Sequence, residues 1–216
     1  MVCIEAIFVG EPQSITDEKG TWFSAIYRTP VNGPIELREG GLLGDRVADT
    51  KNHGRPGQAV CVHPIKHYDF WNESYDLKGA QRLLPGSVGE NWTISGGDEE
   101  TIFCGDVYRV GTAIVQVSGP RGPCSKQERK LRLDGFLKRT IGSLRTGLYL
   151  RVLHPGIVSA GQRWELEDRP KDAVSVFLVN QAAYREVNRE LIRSIVAAEG
   201  VVEAWKDMLV ARLNGK

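Results

Sequence analysis

The sequence predicts a mainly β fold: a barrel-like domain with peripheral helices and a small C-terminal α-helical extension. Three observations predict it. Short runs rich in β-branched and aromatic residues recur along the first 167 residues. Gly and Pro turns separate them in a chain of 216 residues that holds 24 Gly and 10 Pro, a pattern of barrels rather than of wound α/β sheets. After residue 168 the apolar period changes to that of helices, so residues 1–167 are expected to form the β domain and 168–216 the extension.

Taken in order, residues 2–9 and 22–27 are expected strands, separated by Gly10-Glu11-Pro12 and a polar turn at 17–20, and together they predict an opening hairpin. A strand at 35–37 follows. Residues 41–54 are dense in Gly and Asp with one His and read as a polar loop. Asp45, Asp49 and His53 are residue types that ligate metals, although solvated turn positions are the commoner use of such residues. Residues 58–62 read as a strand. His63-Pro64 is then expected to open a helix to residue 75, with Ile65, Tyr68, Trp71 or Asn72, and Tyr75 at helical spacing. His67 falls beside that stripe and is assigned no role.

The stretch Leu84-Pro85-Gly86-Ser87-Val88-Gly89-Glu90-Asn91 reads as a turn feeding a strand to residue 94. Gly86 and Gly89 let backbone N–H groups approach a phosphate, and serve a plain tight turn equally well. Residues 101–104, 107–110 and 112–117 predict three strands in close succession. Residues 131–144 are basic and apolar by turns, partly helical, with solvated cations some of which could face an anionic ligand. Strand character returns at 147–153, 157–158 and 163–166. In the tail, Val187, Leu191, Ile192, Ile195 and Val196 recur at helical spacing, and so do Val201, Val202, Trp205, Met208, Leu209 and Leu213. Helices this short need packing against each other, the barrel, or a second copy in a homodimer.

Composition excludes several function classes. With 41% hydrophobic and 25% charged residues and a net charge of +1, the chain is globular and offers no electrostatic footprint for nucleic acid or for an anionic membrane. No apolar window approaches a membrane span and no leader pattern opens the sequence, so a cytoplasmic location is expected. Cys3, Cys61, Cys104 and Cys124 are scattered without a CxxC pair, which argues against a zinc ribbon or an iron–sulfur set. The first three sit in apolar runs and are expected in the core.

Cys124 is different. Pro120-Arg121-Gly122-Pro123-Cys124-Ser125-Lys126 follows a strand, and its two prolines fix their own φ and bias the preceding residues away from helix. The thiol is thus carried on a stiff turn between two cations, a setting that favours a thiolate able to bind a soft metal or attack an electrophile if those side chains lie close by.

Those residues resemble the cysteine motif of MOSC domains, the family named after the C-terminal part of molybdenum-cofactor sulfurase. Gly44-Asp45-Arg46 through His53-Gly54, and Gly86-Ser87-Val88-Gly89-Glu90-Asn91, resemble two further elements of its YiiM-like branch, in the same order and spacing. The likeness covers residues 35–165, and the tail resembles that branch's three-helix extension. It implies the molybdenum cofactor (molybdopterin), with Cys124 as the molybdenum ligand. Arg121, Lys126, Asn91, Gly89 and Asp45 become candidates for holding the cofactor, its phosphate taking charge from Arg121 and Lys126 and backbone donors from the Gly86–Gly89 turn. The implied activity is reduction of N-hydroxylated compounds, such as hydroxylamino-purine base analogues, with His53 as proton donor and Glu90 or Asp45 in reserve. A separate electron-donating reductase is implied, since the chain has neither a GxGxxG loop nor an iron–sulfur cysteine set. Two alternatives stay open: a carrier of cofactor or persulfide sulfur on Cys124, which turnover with a reductant would separate, and a metal-free hydrolase or transferase pairing Cys124 with His53, which metal content would separate.

Overall fold

Alternating burial along short strands builds one curled sheet around an apolar interior. The computed structural model describes residues 1–51 and 54–215. Its main sheet uses β1 (Cys3–Val9), β4 (Thr29–Pro30), β7 (Val60–Pro64), β8 (Trp92–Ser95), β9 (Val107–Val110), β10 (Ala113–Pro120), β11 (Leu148–His154) and β13 (Trp164–Asp168), in the order β13-β9-β10-β11-β7-β8-β1-β4. Every pairing in it is antiparallel except β7 with β8. The sheet curls until β1 meets the start of β13: Ile4 N–H donates to the Gln162 carbonyl at 2.9 Å, Gly161 N–H to Ile4 at 2.7 Å and Trp164 N–H to Val2 at 3.0 Å. These bonds occupy edges that would otherwise template aggregation. Ile4, Val60, Val62, Trp92, Ile94, Val115, Leu148 and Leu150 fill the interior.

Smaller pieces surround this sheet. β5 (Ile35–Arg38) pairs with β6 (Gly41–Leu42) and β12 (Gly156–Val158), and β2 (Gln13–Asp17) with β3 (Gly20–Ser24). Helix α1 (Lys66–Ser74) turns Tyr68 and Trp71 onto Phe136 of α3 (Phe136–Ser143), with Leu83 and Val88, in a second apolar cluster. Between them runs α2 (Ser125–Leu131). The tail supplies α4 (Val176–Tyr184), α5 (Arg189–Ala197) and α6 (Glu203–Leu213), capped at α4 by Ser175 and at α5 by Asn188. Val176, Val179, Ile192, Ile195 and Leu209 join the core of the sheet, so the extension is packed on the barrel.

Several sequence expectations need correction. The first hairpin is β2–β3, not 2–9 with 22–27, because β1 is taken by β8 and β4. Residues 101–104 form a turn, not a strand. Asp98 Oδ1 accepts the N–H groups of Glu100 and Thr101 at 3.0 Å each and coils the chain, leaving Phe103 a single bridge to Ser175. β7 continues through His63 and Pro64, so α1 begins at Lys66 rather than at His63. α2 begins well before residue 131, its polar sequence carrying no apolar stripe to announce it. Val187 is 48% exposed, since it sits in the turn before the Asn188 cap and not on the α5 face. Cys61 and Cys104 are buried as expected, while Cys3 is only half-buried.

Two buried ionisable groups bear on the stability of this packing. Glu90 Oε1 accepts from the Tyr68 hydroxyl of α1, from Gly86 N–H at 2.7 Å and from the Thr93 hydroxyl of β8 at 2.6 Å. Replacing it by Ala strands three buried donors at roughly 1–3 kcal/mol each. Urea denaturation is expected to show Glu90→Ala losing most of the protein's stability, and Glu90→Gln, which keeps an acceptor, losing much less. His63 is 2% exposed, and its pKa is held well below 6.5 by burial first and then by His67 and Arg121. The unfolded chain therefore takes up a proton that the folded one refuses. His63 imposes no penalty above about pH 6.5, and stability falls progressively as pH drops below that value. Thermal melts from pH 8 to pH 5 should show this fall, and His63→Gln should flatten it.

Candidate active site

β10 ends at Pro120, and the chain turns through Arg121, Gly122 and Pro123 into α2. Cys124 is the N-cap, with extended backbone (φ −130°, ψ 133°), and its N–H donates to the Gln127 side chain at 3.3 Å. The thiol is therefore fixed at a strand-to-helix joint and is half-buried. It lines a cleft of about 200 Å³ together with Arg121, Gly122 and Lys126, the stretch after β3 (Ala25, Ile26, Arg28), the loop after β6 (Asp45 to Asp49), Gly89, Asn91, Cys61 and Tyr149.

Arg121 dominates this wall. It is 6% exposed, its N–H donates to Gly147 O at 3.0 Å, and its Nη2 donates to Val88 O at 3.0 Å. Nη1 is buried with no partner among the described residues. Burial works to lower its pKa, yet its surroundings hold that pKa above the usual value, so the charge stays on. Lys126 also lines the cleft, its Nζ 3.4 Å from the Phe23 carbonyl.

Asp45 is in the cleft but is not a free acid. Its oxygens grip Arg28 in a fork, with Nε–Oδ1 at 2.8 Å and Nη2–Oδ2 at 3.0 Å, and Oδ1 also accepts Gly10 N–H at 2.8 Å. Arg28 Nη1 then donates to Gly89 O at 2.6 Å, so Asp45 works as the residue that aims Arg28. Gly89 has φ +73°, and a Cβ there would lie 2.4 Å from Ile26 Cγ1, which is why this position needs glycine.

The Gly86–Gly89 turn does not offer the free backbone donors expected of it. Gly86 N–H goes to Glu90, Ser87 N–H to Leu84 O and Gly89 N–H to Gly86 O; the turn consumes its own donors to hold its shape. Asn91 lines the cleft with both polar ends occupied, Oδ1 accepting Cys61 N–H at 3.0 Å and Nδ2 donating to Phe8 O at 3.2 Å. Glu90 is fully buried and does not line the cleft. His53 lies outside the described residues.

Three cleft residues escaped the sequence reading. Cys61 and Tyr149 are register partners across β7 and β11, and burial pushes both groups up, the Tyr149 hydroxyl to about 12. The alternation Val60-Cys61-Val62 contains the signal for Cys61, which must face away from its core neighbours. Arg28 carries no local signal, because its partners are 17 and 61 residues distant.

The lining suits an anionic ligand. Arg28, Arg46, Arg121 and Lys126 face two carboxylates, Asp45 and Asp49, and one of those already neutralises Arg28. Among the described residues no three His, Cys, Asp or Glu side chains cluster to hold a bare metal ion. A metal held here would arrive with ligands of its own and take one from Cys124. That is the donor set a metal–pterin cofactor with a phosphate needs, and the unpartnered Arg121 Nη1 fits its charge.

The chain is similar to known proteins of one family. Residues 49–165 match the family model of the MOSC domain. YflK of Bacillus subtilis, an uncharacterized protein, is 35% identical over 199 residues, 92% of this chain and 88% of its own. A protein named reductase from Gibberella moniliformis is 32% identical over 166 residues, covering 73% of this chain but 28% of that longer protein. The crystal structure of YiiM from Geobacillus stearothermophilus superposes with a TM-score of 0.81 at 31% identity, covering 99% of this chain and 100% of that one. The chain is a YiiM-like member of the MOSC domain family.

Proposed function

We propose that this protein holds the molybdenum cofactor in the cleft, with Cys124 as the protein ligand to the metal, and reduces N-hydroxylated compounds such as hydroxylamino-purine base analogues, a detoxifying reaction. The observation that carries this reading is the pairing of a fixed, half-buried thiol with a buried guanidinium whose Nη1 is unpartnered, on one wall of a cation-lined cleft. Family membership and the reductase-named relative support it at the coarser level of a cofactor-associated redox function.

When bound, the cofactor supplies two-electron chemistry at oxygen. The chain's own residues bind and orient. Arg121, through its unpartnered Nη1, and Lys126 offer charge to the cofactor's phosphate, while Arg28, held by Asp45 and the Gly89 carbonyl, shapes the wall beside them. The Cys124 joint sets the position of the metal's protein ligand without loop motion, because a strand end and a helix start both constrain it. Cys61, kept as a neutral thiol by burial, and Tyr149 close the floor beside it. The net reaction, R–NH–OH plus two electrons and two protons to R–NH2 plus water, draws its electrons from a separate reductase.

The test is molybdenum and pterin content of protein purified from a cofactor-producing host, wild type beside Cys124→Ser. Near-stoichiometric molybdenum in wild type and at least a tenfold loss in the variant is expected, followed by turnover of a hydroxylaminopurine with a chemical reductant. Well-folded wild type free of metal and pterin would overturn the cofactor reading. Loaded protein inert toward N-hydroxylated substrates would leave the carrier reading in its place.

A further inference from the structure

Behind the cleft wall lies a row of buried ionisable groups that cofactor binding does not use. Cys61 and His63 project from the same face of β7, so the imidazole sits one pleat repeat, about 7 Å, along from the cleft thiol. His63 is 2% exposed, and neither of its ring nitrogens has a hydrogen-bond partner among the described residues. A histidine kept only for packing uses at least one nitrogen, because an unmet buried polar atom costs roughly 1–3 kcal/mol. Its ring packs against the His67 ring, edge-on at 5.1 Å between centroids, and against the Tyr68 ring at 5.2 Å, whose hydroxyl is committed to Glu90. On the cleft side Arg121 is close enough to oppose protonation of His63.

The row continues outward. His67 Nε2 lies 3.2 Å from Glu99 Oε2, and both side chains are less than 5% exposed. His67 Nδ1 is again unpartnered. Glu99 Oε1 accepts Gly147 N–H at 2.6 Å, and the Gly147 carbonyl accepts the Arg121 backbone N–H at 3.0 Å, so one residue, through its two flanking peptide groups, links this carboxylate to the backbone of the cleft arginine. A Cβ on Gly147 would lie 2.4 Å from Val62 O and 3.3 Å from His63 Nδ1; glycine keeps that approach open. Glu99 also neighbours Asp98 in sequence, whose carboxylate pairs with the solvent-exposed Lys66. The titratable and charged groups around His63 are thus His67 and Tyr68 from α1, Arg121 from the end of β10, and, through His67, Glu99.

We propose that His63, His67 and Glu99 form a buried, water-linked proton relay from the Lys66–Asp98 surface to the cleft. A neutral imidazole accepts a proton at one ring nitrogen and releases one from the other, so His63 passes protons without having to stay charged beside Arg121. Waters between the unpartnered nitrogens complete the path. The proposal rests on the reductase reading for its purpose: breaking the N–O bond with two electrons from a flavin- or iron–sulfur-type donor requires two protons, one to form N–H and one to release the oxygen as water. The relay moves those protons and no electrons.

The first test needs no cofactor. In 15N-histidine-labelled apoprotein, the His63 ring N–H is expected to exchange with water on a millisecond timescale despite its burial, and Glu99→Gln, which keeps the bond to Gly147, is expected to slow that exchange at least tenfold. A His63 N–H protected like the core amides would overturn the relay. The second test uses loaded enzyme with reduced methyl viologen and a hydroxylaminopurine. His63→Phe and Glu99→Gln should each lower kcat at least tenfold, with KM and molybdenum content unchanged and a solvent isotope effect that differs from wild type. Unchanged kcat in both variants would overturn the proposal. If loaded wild type reduces no N-hydroxylated compound, the reductase reading fails and the exchange measurement alone decides whether the row conducts protons.

Discussion

The rest of the site depends on one buried positive charge. Arg121 cannot shed its proton at any working pH, and a guanidinium out of water needs acceptors. Its guanidinium finds one backbone carbonyl, Val88, while the Arg121 backbone N–H takes a second, Gly147, and no carboxylate among the described residues lies within ion-pair range. Those two carbonyls belong to the turn before β8 and the start of β11, so meeting the needs of Arg121 fixes both walls of the cleft relative to the Cys124 joint. What it leaves unmet, Nη1, is an invitation to an anion. A binding site that withholds one counter-charge from a buried cation gains affinity from the ligand that brings it, and loses folded-state stability until it does.

The same logic explains why the acidic candidates are occupied. Asp45 is gripped by Arg28 and Glu90 by three donors, so neither carboxylate competes with an anionic ligand for Arg121. Glu90 was legible as an element beside the site but not as a buried tie, because its partners Tyr68 and Thr93 lie on α1 and β8, and a sequence shows residue type before it shows direction. Cys124, Arg121 and Lys126 were legible because proline, cysteine and cation occur within seven residues and the loop's stiffness is local. Arg28 was not, since nothing near Tyr27 and Thr29 anticipates a fork from Asp45. Tyr149 was not, since its place in the cleft follows from the register of β11 against β7.

Fold elements divide along the same line. Strands with clear alternation, such as β1, β7 and β10, were visible in sequence within a few residues of where they lie. β2 was hidden because Gln13-Ser14-Ile15-Thr16-Asp17 has one apolar side chain and an exposed face. α4 was hidden for the opposite reason: Val176 to Ala183 is apolar nearly all round, so no periodic contrast marks it. α2 hides its start in polar residues, and Arg129 explains why they are there, forking onto Asp17 at 2.7 Å through both Nε and Nη2 and lying over the Trp22 ring at 4.9 Å. That contact fastens the β2–β3 hairpin beside the cleft, a use of charge that no helical pattern reveals.

A division of labour follows from where charge is allowed to reside. On the cleft side the protein maintains permanent cations and keeps its thiol and phenol floor neutral by burial. Further along the same face of β7 it buries a histidine that burial first, and then His67 and Arg121, keep from staying protonated, next to the buried His67–Glu99 pair. Burial, reinforced by His67 and by that fixed positive charge, disfavours a proton that would linger as imidazolium while leaving transfer through a neutral ring open. The guanidinium that attracts the ligand's anion therefore adds to the burial that keeps His63 neutral, and Gly147, bonded to the Arg121 backbone N–H through its carbonyl and to Glu99 through its N–H, is the residue at which the two sides meet.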